Sequence, residues 1–255
     1  MGDEAVTPPQ IAGRADREVA HGRKLAAEGA EDIWGWGSPA GQRRAERRAK
    51  LIAQAAKLGP GVRALEIGCG TGLFTEKFAR TGAHVLAVDI SPDLLVIARQ
   101  RGLPESQVQF VEQRFEDSDA QGPFDAVVGS SVLHHLELRP AVERIFQLLR
   151  PGGWMSFAEP NMLNPQIAIQ KNVGWIKRRA GDSDDETAIV RWRFARMLRE
   201  VGFERIAITP HDWLHPLTPR PLIGAVATVG RVLEAIPGVR EFAGSVHIVA
   251  ARPSA

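Results

Sequence analysis

Near the start of the chain, apolar residues have the spacing of helices. Further along, short apolar runs typical of strands alternate with more helical segments. From Val62, short apolar runs alternate with segments of helical spacing; the runs read "VRALEIG", "AHVLAVD", "VQFVE", "FDAVVGSS" and "GGWMSFAE". Short buried runs separated by helices are typical of a parallel sheet that has helices on both faces. The pattern therefore predicts an α/β fold with a doubly wound sheet.

The pattern loosens after residue 160 and becomes regular again near residue 183. Ser183 is followed three residues later by Glu186, which forms a capping box and predicts a helix from there to about Val201. The segments "FERIAITP" and "GSVHIVAAR" then predict a sixth and a seventh strand. The stretch between them is longer than a hairpin requires, so we expect it to form a lid or a wall of a binding site.

These patterns divide the chain into an N-terminal helical arm or cap, residues 1–58, and a core, residues 59–255. The arm includes a predicted helix over about residues 40–58, preceded by the loop "EDIWGWGSPAG". We expect cap insertions in the core at about 160–183 and 210–243. The Arg-rich stretch "RRAERRAK" in the arm is interpreted as a solvated helix face.

Composition narrows the class of partner. The chain has 255 residues with a net charge of +2, one cysteine and no tyrosine. Nearly balanced charge favours a small-molecule partner over a nucleic acid, and a single cysteine suits a reducing cytoplasm. The most apolar segment, residues 221–237, is interrupted by Arg231 and Glu234, so we expect a cap or interface helix and no stable membrane insertion. The oligomeric state is not predictable.

A glycine turn follows the first predicted strand. "LEIGCGTGLF" contains Gly68, Gly70 and Gly72, which gives GxGxG, and Leu73 occupies the last glycine position of a dinucleotide-binding GxGxxG. A nicotinamide enzyme is therefore disfavoured. Asp89 ends the second strand, where a carboxylate can accept two hydrogen bonds from a ribose diol. As a helix cap Asp89 would be redundant, because Ser91 fills that position.

Together these motifs resemble one family. "EIGCGTG", Asp89, "FVEQRFED", "FDAVVGSSVLHHL" and "LRPGGWMSFAEP" have the order and spacing of the class I S-adenosylmethionine-dependent methyltransferases. The similarity covers roughly residues 60–160 strongly and the last two strands moderately. It implies a Rossmann-like doubly wound sheet of seven strands, the last one antiparallel, with helical cap insertions, and S-adenosyl-L-methionine as the cofactor.

The resemblance also implies which residues hold the cofactor. The glycine turn would hold its amino-acid end, Glu66 would contact its amino group, usually through water, and Ile90 would lie against the adenine. Many relatives have Gly-Asp-Ala-Glu after the third strand, whereas this chain has Gln113 to Glu116, and Arg114 cannot accept a hydrogen bond from the adenine amino group. The expected cofactor residues are Glu66, Gly68, Cys69, Gly70, Gly72, Asp89, Ile90, Phe115, Glu116, Ser130 and Trp36. Trp34 and Trp36 could instead be core residues of the cap.

Candidate catalytic residues are those expected beside the methyl group, at the carboxyl ends of the fourth and fifth strands. We expect His135 first, then His134 and Glu159, as a general base for a hydroxyl acceptor, because the chain has no tyrosine. A histidine here could equally hydrogen-bond the loop backbone. Asn161, His211, His215 and Trp213 are expected to line the substrate pocket. We expect no metal site, since "HDWLH" lacks a recognisable ligand motif.

These expectations predict O-methylation of a small, fairly apolar molecule. Two other functions remain open: a non-catalytic S-adenosylmethionine-binding or scaffold protein, and a methyltransferase that acts on RNA or lipid. The basic stretches "RRAERRAK" and "IKRRAG" are the features that would support the last of these.

Overall fold

The computed structural model describes residues 9–175 and 188–254. Its helices are α1 (Pro9–Glu28), α2 (Ala30–Ile33), α3 (Pro39–Ala55), α4 (Leu73–Ala79), α5 (Pro92–Arg99), α6 (Leu138–Leu148), α7 (Pro165–Asn172), α8 (Arg191–Val201) and α9 (Ile223–Ala235). Its strands are β1 (Arg63–Ile67), β2 (His84–Asp89), β3 (Val108–Glu112), β4 (Phe124–Ser130), β5 (Leu149–Pro160), β6 (Glu204–His211) and β7 (Ser245–Ala251).

The strands form one seven-stranded sheet in the order β3-β2-β1-β4-β5-β7-β6. Strands β1 to β5 pair in parallel, whereas β7 is antiparallel to both of its neighbours, β5 and β6. The predicted fold class, with a reversed last strand, is confirmed. The strand order changes direction between β1 and β4, and ligands of such sheets bind beyond the carboxyl ends of the strands at this point.

Helices cover both faces of the sheet. On one face, α6 and α8 contribute Val142, Ile145 and Leu198 to a buried apolar cluster. On the other face, α3, α4 and α5 contribute a second cluster that includes Ile52 and Phe78. Burial on both faces explains why the central strands are continuous apolar runs rather than alternating ones.

Local signals account for several helix ends. Ser91 caps α5 by accepting a hydrogen bond from the Leu94 N–H, and Ser38 caps α3 in the same way through Gly41. The predicted loop at residues 31–41 is partly wrong, because α2 covers Ala30–Ile33 before the chain turns. The capping box of Ser183 and Glu186 lies outside the described residues; the described helix there runs from Arg191 to Val201, the predicted end.

The expected insertions carry helices of their own. Helix α7 lies in the insertion after β5, and α9 lies in the insertion between β6 and β7. Helix α1 packs along α5, where Leu25 and Leu94 share a small buried cluster. The division at residue 58 remains a prediction.

Candidate functional site

A cavity of about 670 Å³ opens at the carboxyl ends of β1, β2 and β4. Its walls come from parts of the chain that are far apart in sequence. They are the glycine turn, residues 88–91 and 113–116, residues 130–136, residues of α1, α3 and α7, and residues 212–216 of the insertion before β7. The switch point of the sheet therefore carries a cavity that is large enough for a nucleoside and a second small molecule.

The glycine turn follows β1 and forms part of the cavity wall through Gly68, Cys69 and Gly70. A Cβ added to Gly68 would lie 2.3 Å from a methyl carbon of Val132, and Gly68 has a φ of 66°. Both observations exclude a side chain there. The predicted role of Gly72 is not supported in the same way, because it lies against Ala98 of α5 and is not part of the wall.

Cys69 is buried in this turn, and burial raises the pKa of its thiol well above the ordinary value. A thiol that resists ionisation is a poor nucleophile. The structure therefore supports Cys69 as a small residue that allows a tight turn.

Asp89 ends β2 beside the glycine turn. One carboxylate oxygen accepts a hydrogen bond from the Gly70 N–H at 2.7 Å, and the other accepts one from the Ser91 N–H at 2.9 Å. Burial raises the pKa of Asp89, although these two bonds oppose the rise. Each oxygen keeps further lone-pair capacity, so a fixed carboxylate lines the cavity and can accept hydrogen bonds from a diol.

Glu66 lies behind the turn, with 1% of its surface exposed, and it is not part of the cavity wall. Its Oε2 has no hydrogen-bond partner among the described residues. Burial, with a smaller contribution from the Asp89 charge, raises the pKa of Glu66 to about 8. Direct contact with a ligand would need a bridging group, which agrees with the water-mediated role that the resemblance implies.

The residues predicted to lie near the adenine are part of the cavity wall. Ile90, Phe115 and Glu116 all line it. Arg114 lines it as well, and its guanidinium lies 3.3 Å from the Glu116 carboxylate and 3.0 Å from that of Asp117. The charge of Arg114 is thus neutralised by two neighbouring carboxylates.

Trp36 and Ser130 line the cavity, and both lie close to arginine side chains of α3. The guanidinium groups of Arg44 and Arg48 each lie 5.0 Å from the centre of the Trp36 ring. The Ser130 hydroxyl accepts a hydrogen bond from Arg48 at 3.2 Å. The ring face of Trp36 is therefore already used by two cations, whereas Trp34 lies directly against Gly70.

His134 and Glu159 form a buried pair. His134 Nδ1 lies 2.7 Å from Glu159 Oε2, and the other oxygen, Oε1, accepts hydrogen bonds from the Val132 and Leu133 N–H groups at 3.0 Å each. Burial acts to raise the pKa of Glu159, but the bonds from His134 and the backbone outweigh it and lower that pKa. Glu159 is thus an ionised carboxylate that orients His134, and a direct role for it as the base is wrong, because its oxygens are occupied and it does not line the cavity.

His135 is placed differently from its neighbour. Its Nδ1 lies 3.2 Å from a carboxylate oxygen of Glu18 in α1, and its ring centre is 4.3 Å from that of His134. Both histidines line the cavity. Of these two histidines, His134 has the fully buried carboxylate, whereas the carboxylate of Glu18 beside His135 is 15% exposed.

Two of the four expected substrate-pocket residues line the cavity, namely Trp213 and His215. Asn161 does not, and its predicted role is wrong. Its Nδ2 donates to the carbonyls of Glu241 and Ala243 at 2.8 Å, while its Oδ1 accepts from the Leu163 N–H. Its side-chain NH₂ group therefore joins the end of β5 to the segment before β7, and its side-chain oxygen holds the turn that follows β5.

His211 is also outside the cavity wall, contrary to expectation. It is buried, and both ring nitrogens lack a hydrogen-bond partner within the described part of the chain. Burial, followed by the charge of Arg48, lowers the pKa of His211 to about 3, so it is neutral at ordinary pH. It is a packing residue at the end of β6.

Sequence reasoning missed the arginines that shape the far wall. Arg48 was interpreted as part of a solvated face, yet it is 4% exposed. Arg44 pairs with Asp212 at 2.8 Å, and both line the cavity. The helical spacing did indicate that Arg48 is buried, because position 48 lies on the apolar stripe of α3 between Ala45 and Ile52.

The described residues, 9–175 and 188–254, lack a metal-binding cluster and a membrane-spanning helix. They contain no cluster of three or more His, Cys, Asp or Glu side chains arranged to hold a metal ion. None of their helices is both long and apolar enough to cross a bilayer.

Comparison with known proteins gives a family match for the central part of the chain. Residues 65–155 match the family model described as a methyltransferase domain. A ubiquinone biosynthesis O-methyltransferase of Xylella fastidiosa (strain 9a5c) is 42% identical over 97 residues, which cover 36% of this chain and 39% of that protein. The chain therefore spans less than half of that relative's length.

Solved structures share the fold at lower identity. The N-methyltransferase NodS from Bradyrhizobium japonicum WM9, in complex with S-adenosyl-L-homocysteine, is 18% identical with a TM-score of 0.56, and the match covers 85% of this chain and 89% of NodS. The cyclase SpnF is 22% identical with a TM-score of 0.59, and the match covers 82% of each chain. Since the two proteins are named for different reactions, the shared fold does not fix the chemistry.

Proposed function

We propose that this chain is a class I S-adenosylmethionine-dependent methyltransferase that transfers a methyl group to an oxygen atom of a small, largely apolar molecule; the match of residues 65–155 to a methyltransferase-domain model supports this. The observation that carries the proposal is the cavity at the switch point, in which a glycine turn and Asp89 face a histidine held by a buried carboxylate. The matching family and the name of the 42% identical relative support the same reaction.

The residues present fit the cofactor. Gly68 leaves no room for a side chain, so the backbone of the turn can approach a ligand closely. Asp89 is held by two backbone bonds in the position of a ribose acceptor, and the buried Glu66 has an unpartnered oxygen behind the turn, toward the expected amino group. Bound S-adenosylmethionine would supply an electrophilic methyl group on a sulfonium, which becomes a neutral thioether on transfer.

His134 is the proposed general base. Its Nδ1 carries the proton that bonds to Glu159, so the basic lone pair is on Nε2. As the acceptor oxygen takes the methyl group, its hydroxyl proton passes to this nitrogen, and Glu159 stabilises the imidazolium that results. Glu159 acts only through His134 and is a positioning residue.

The acceptor side of the cavity suits a small molecule. Trp213, Leu214 and Pro216 from the insertion and Ile167 from α7 supply apolar wall, and α1 supplies Leu25. Apolar wall on this side keeps water from the reacting groups and favours alignment of an acceptor with the methyl group. We propose accordingly that the partner is a small molecule and not a nucleic acid, and that the protein acts in the cytoplasm.

The test uses methyl-labelled S-adenosylmethionine with a panel of catechols and hydroquinones. We expect label in an organic product whose mass increases by one methylene, attached at oxygen, and we expect S-adenosyl-L-homocysteine to bind in calorimetry. Binding of the cofactor product without transfer to any compound of a metabolite extract would instead favour the non-catalytic function. Label on nitrogen or carbon would contradict O-methylation.

A further inference from the structure

Helix α9, Ile223–Ala235, presents a row of apolar side chains to solvent. The row, called the α9 stripe below, follows spacings of three and four residues and consists of Leu222, Ala225, Val229, Val232 and Ile236. Its four larger side chains are between 41% and 58% exposed. Residues at these spacings lie on the same side of a helix, so the stripe is one continuous apolar surface.

The inner side of α9 is held by the rest of the chain. Ile223 is buried in a small apolar cluster with Leu214. Gly230 lies against Trp213, where an added Cβ would be 3.1 Å from the Trp213 Cβ. A helix that is apolar on all sides is expected to be buried, yet the stripe of α9 is exposed. Packing within the chain therefore does not account for the apolar residues of the stripe.

The exposed charge around the stripe is positive. All three carboxylates of residues 210–244 form ion pairs with arginines of α3 and α8; they are Asp212, Glu234 and Glu241. Arg220 and Arg231 are exposed, and within the described part of the chain neither of them forms an ion pair. Arg231 donates a hydrogen bond to the neutral Thr228 hydroxyl at 3.2 Å. The stripe thus has cations beside it whose charge is not balanced.

The stripe adjoins the acceptor side of the cavity. Residues 213–216 line the cavity, and the next residue, Leu217, is 83% exposed. Ile223, at the start of α9, packs against Leu214 of the same lining segment. Apolar surface therefore continues from the proposed acceptor wall to the outside of α9.

We propose that the α9 stripe, with Leu217, Arg220 and Arg231, docks on the surface of a membrane that contains anionic lipids. The apolar side chains enter the boundary between headgroups and acyl chains, and the arginines contact lipid phosphates. At 1.5 Å per residue the helix is about 20 Å long, which is shorter than a hydrocarbon core of about 30 Å, so it lies along the surface. The inference goes beyond the proposed function and does not depend on which atom is methylated.

A second copy of this chain fits the stripe less well. Two stripes packed against each other would bring together segments whose exposed charges have the same sign, and the carboxylates of the segment are already paired. Like charges oppose association, whereas lipid phosphates supply the opposite charge. Charge therefore favours a lipid surface as the partner.

Vesicle flotation with the full chain tests the proposal. One set of vesicles is phosphatidylcholine alone, and the other contains about 30% phosphatidylserine as the anionic lipid. The variants are Val229→Gln combined with Val232→Gln, and Arg231→Gln. The matched controls are Val96→Gln, at a valine of α5 that is 54% exposed, and Arg199→Gln, at an exposed arginine of α8.

We expect the wild type to bind the anionic vesicles about tenfold more tightly than the neutral ones, and added salt to weaken this binding. The double valine variant should bind the anionic vesicles about five- to tenfold more weakly, because it removes apolar contact. Arg231→Gln should lose about three- to fivefold, and this loss should disappear at high salt. The two controls should match the wild type.

A label on the stripe gives a second measurement that does not rely on weakened binding. The only cysteine of the chain, Cys69, is buried, so a thiol-reactive fluorophore attached through Val232→Cys reports on that position. On anionic vesicles its emission should shift to shorter wavelength, and the lipid should shield it from an aqueous quencher. The same label attached through Val96→Cys should show neither change.

Three results would overturn the proposal: a wild type that binds neither kind of vesicle, a double valine variant that binds as well as the wild type, or a Val232→Cys label that stays accessible to the quencher. Sedimentation without lipid tests the other partner. A wild-type dimer that the double valine variant dissociates would assign the stripe to a second copy. None of these measurements involves methyl transfer, so a failure of the proposed function is distinguishable from a failure of docking.

Discussion

The two halves of the cavity are built in different ways. The half proposed for the cofactor consists of one continuous turn, residues 68–70, and a carboxylate that the turn itself holds through the Gly70 N–H. The half proposed for the acceptor takes single side chains from separate elements, such as His134, Trp213 and Glu18. The first half depends on backbone conformation that a local sequence specifies, and the second depends on long-range contacts.

The largest expected effect is on the acceptor half. His134→Ala should reduce turnover by about 10²-fold or more, because general-base catalysis typically contributes that much, while affinity for S-adenosyl-L-homocysteine stays nearly constant. Steady-state kinetics and calorimetry measure the two quantities. His135→Ala is the matched control and should lose less. A larger loss in the control would return the role of base to His135.

Asp89→Ala tests the cofactor half. Loss of a charge-assisted acceptor should weaken S-adenosyl-L-homocysteine by about 1.5–3 kcal/mol, which calorimetry measures directly. Asp93→Ala is the control, since Asp93 starts α5 nearby but is not part of the cavity wall. Unchanged affinity in Asp89→Ala would remove its role on the ribose.

Trp213→Ala should also change the acceptor half of the cavity without changing the cofactor half, and its effect should be smaller than those of the two preceding variants. Removing apolar wall from the acceptor side should raise KM for an apolar acceptor by about three- to tenfold and leave cofactor affinity unchanged. Trp192, which is exposed on α8, provides the control substitution Trp192→Ala. A loss of cofactor affinity in Trp213→Ala would show that the insertion contributes to the other half.

Glu66 gives a pH test of the cofactor half without ligand. Its folded-state pKa of about 8 lies above the unfolded value, so the folded chain binds more protons than the unfolded one between about pH 4.5 and 8. The stabilising contribution of Glu66 to the free energy of unfolding is therefore present at low pH and is lost as the pH rises through this window. Relative to Glu66→Gln, the wild type should lose about 3 °C or more in Tm from pH 5 to pH 8. Parallel Tm curves would contradict the raised pKa.

The smallest expected effect is that of a chelator. We expect methyl transfer to be unchanged after treatment with EDTA, because the chemistry proposed for His134 needs no metal. Activity lost to the chelator and restored by magnesium or zinc would overturn this expectation and direct attention to the histidines near Asp212.

The features predicted correctly are those that a short segment specifies. The strands of the sheet, the glycine turn with its position before Asp89, and the Ser91 cap are each encoded within about ten residues, and the antiparallel seventh strand followed from a resemblance that rested on them. Their physical basis is backbone conformation and the burial of a strand on both faces.

The features predicted wrongly depend on contacts between distant residues. Glu159 and Asn161 are close in sequence to residues of the site. The Glu159 carboxylate, however, already accepts hydrogen bonds from His134 and two backbone N–H groups, and Asn161 joins β5 to residues 241–243. Which of two adjacent histidines receives a carboxylate depends on a residue 25 positions away. Arg48 was missed because a charged run was taken as solvated, although its helical spacing placed it on the buried stripe.

The reversed last strand has a practical consequence for experiments on the chain. Because β7 is antiparallel to β5, its last residue lies beside Trp154, at the ends of the strands opposite the cavity. The carbonyl groups of the two residues after β7 accept hydrogen bonds from the Gly152 N–H. Helix α1, in contrast, supplies cavity wall through Glu18 and Gly22. A fluorophore, an affinity tag or a surface anchor is therefore best joined after β7, where it leaves the mouth of the site clear.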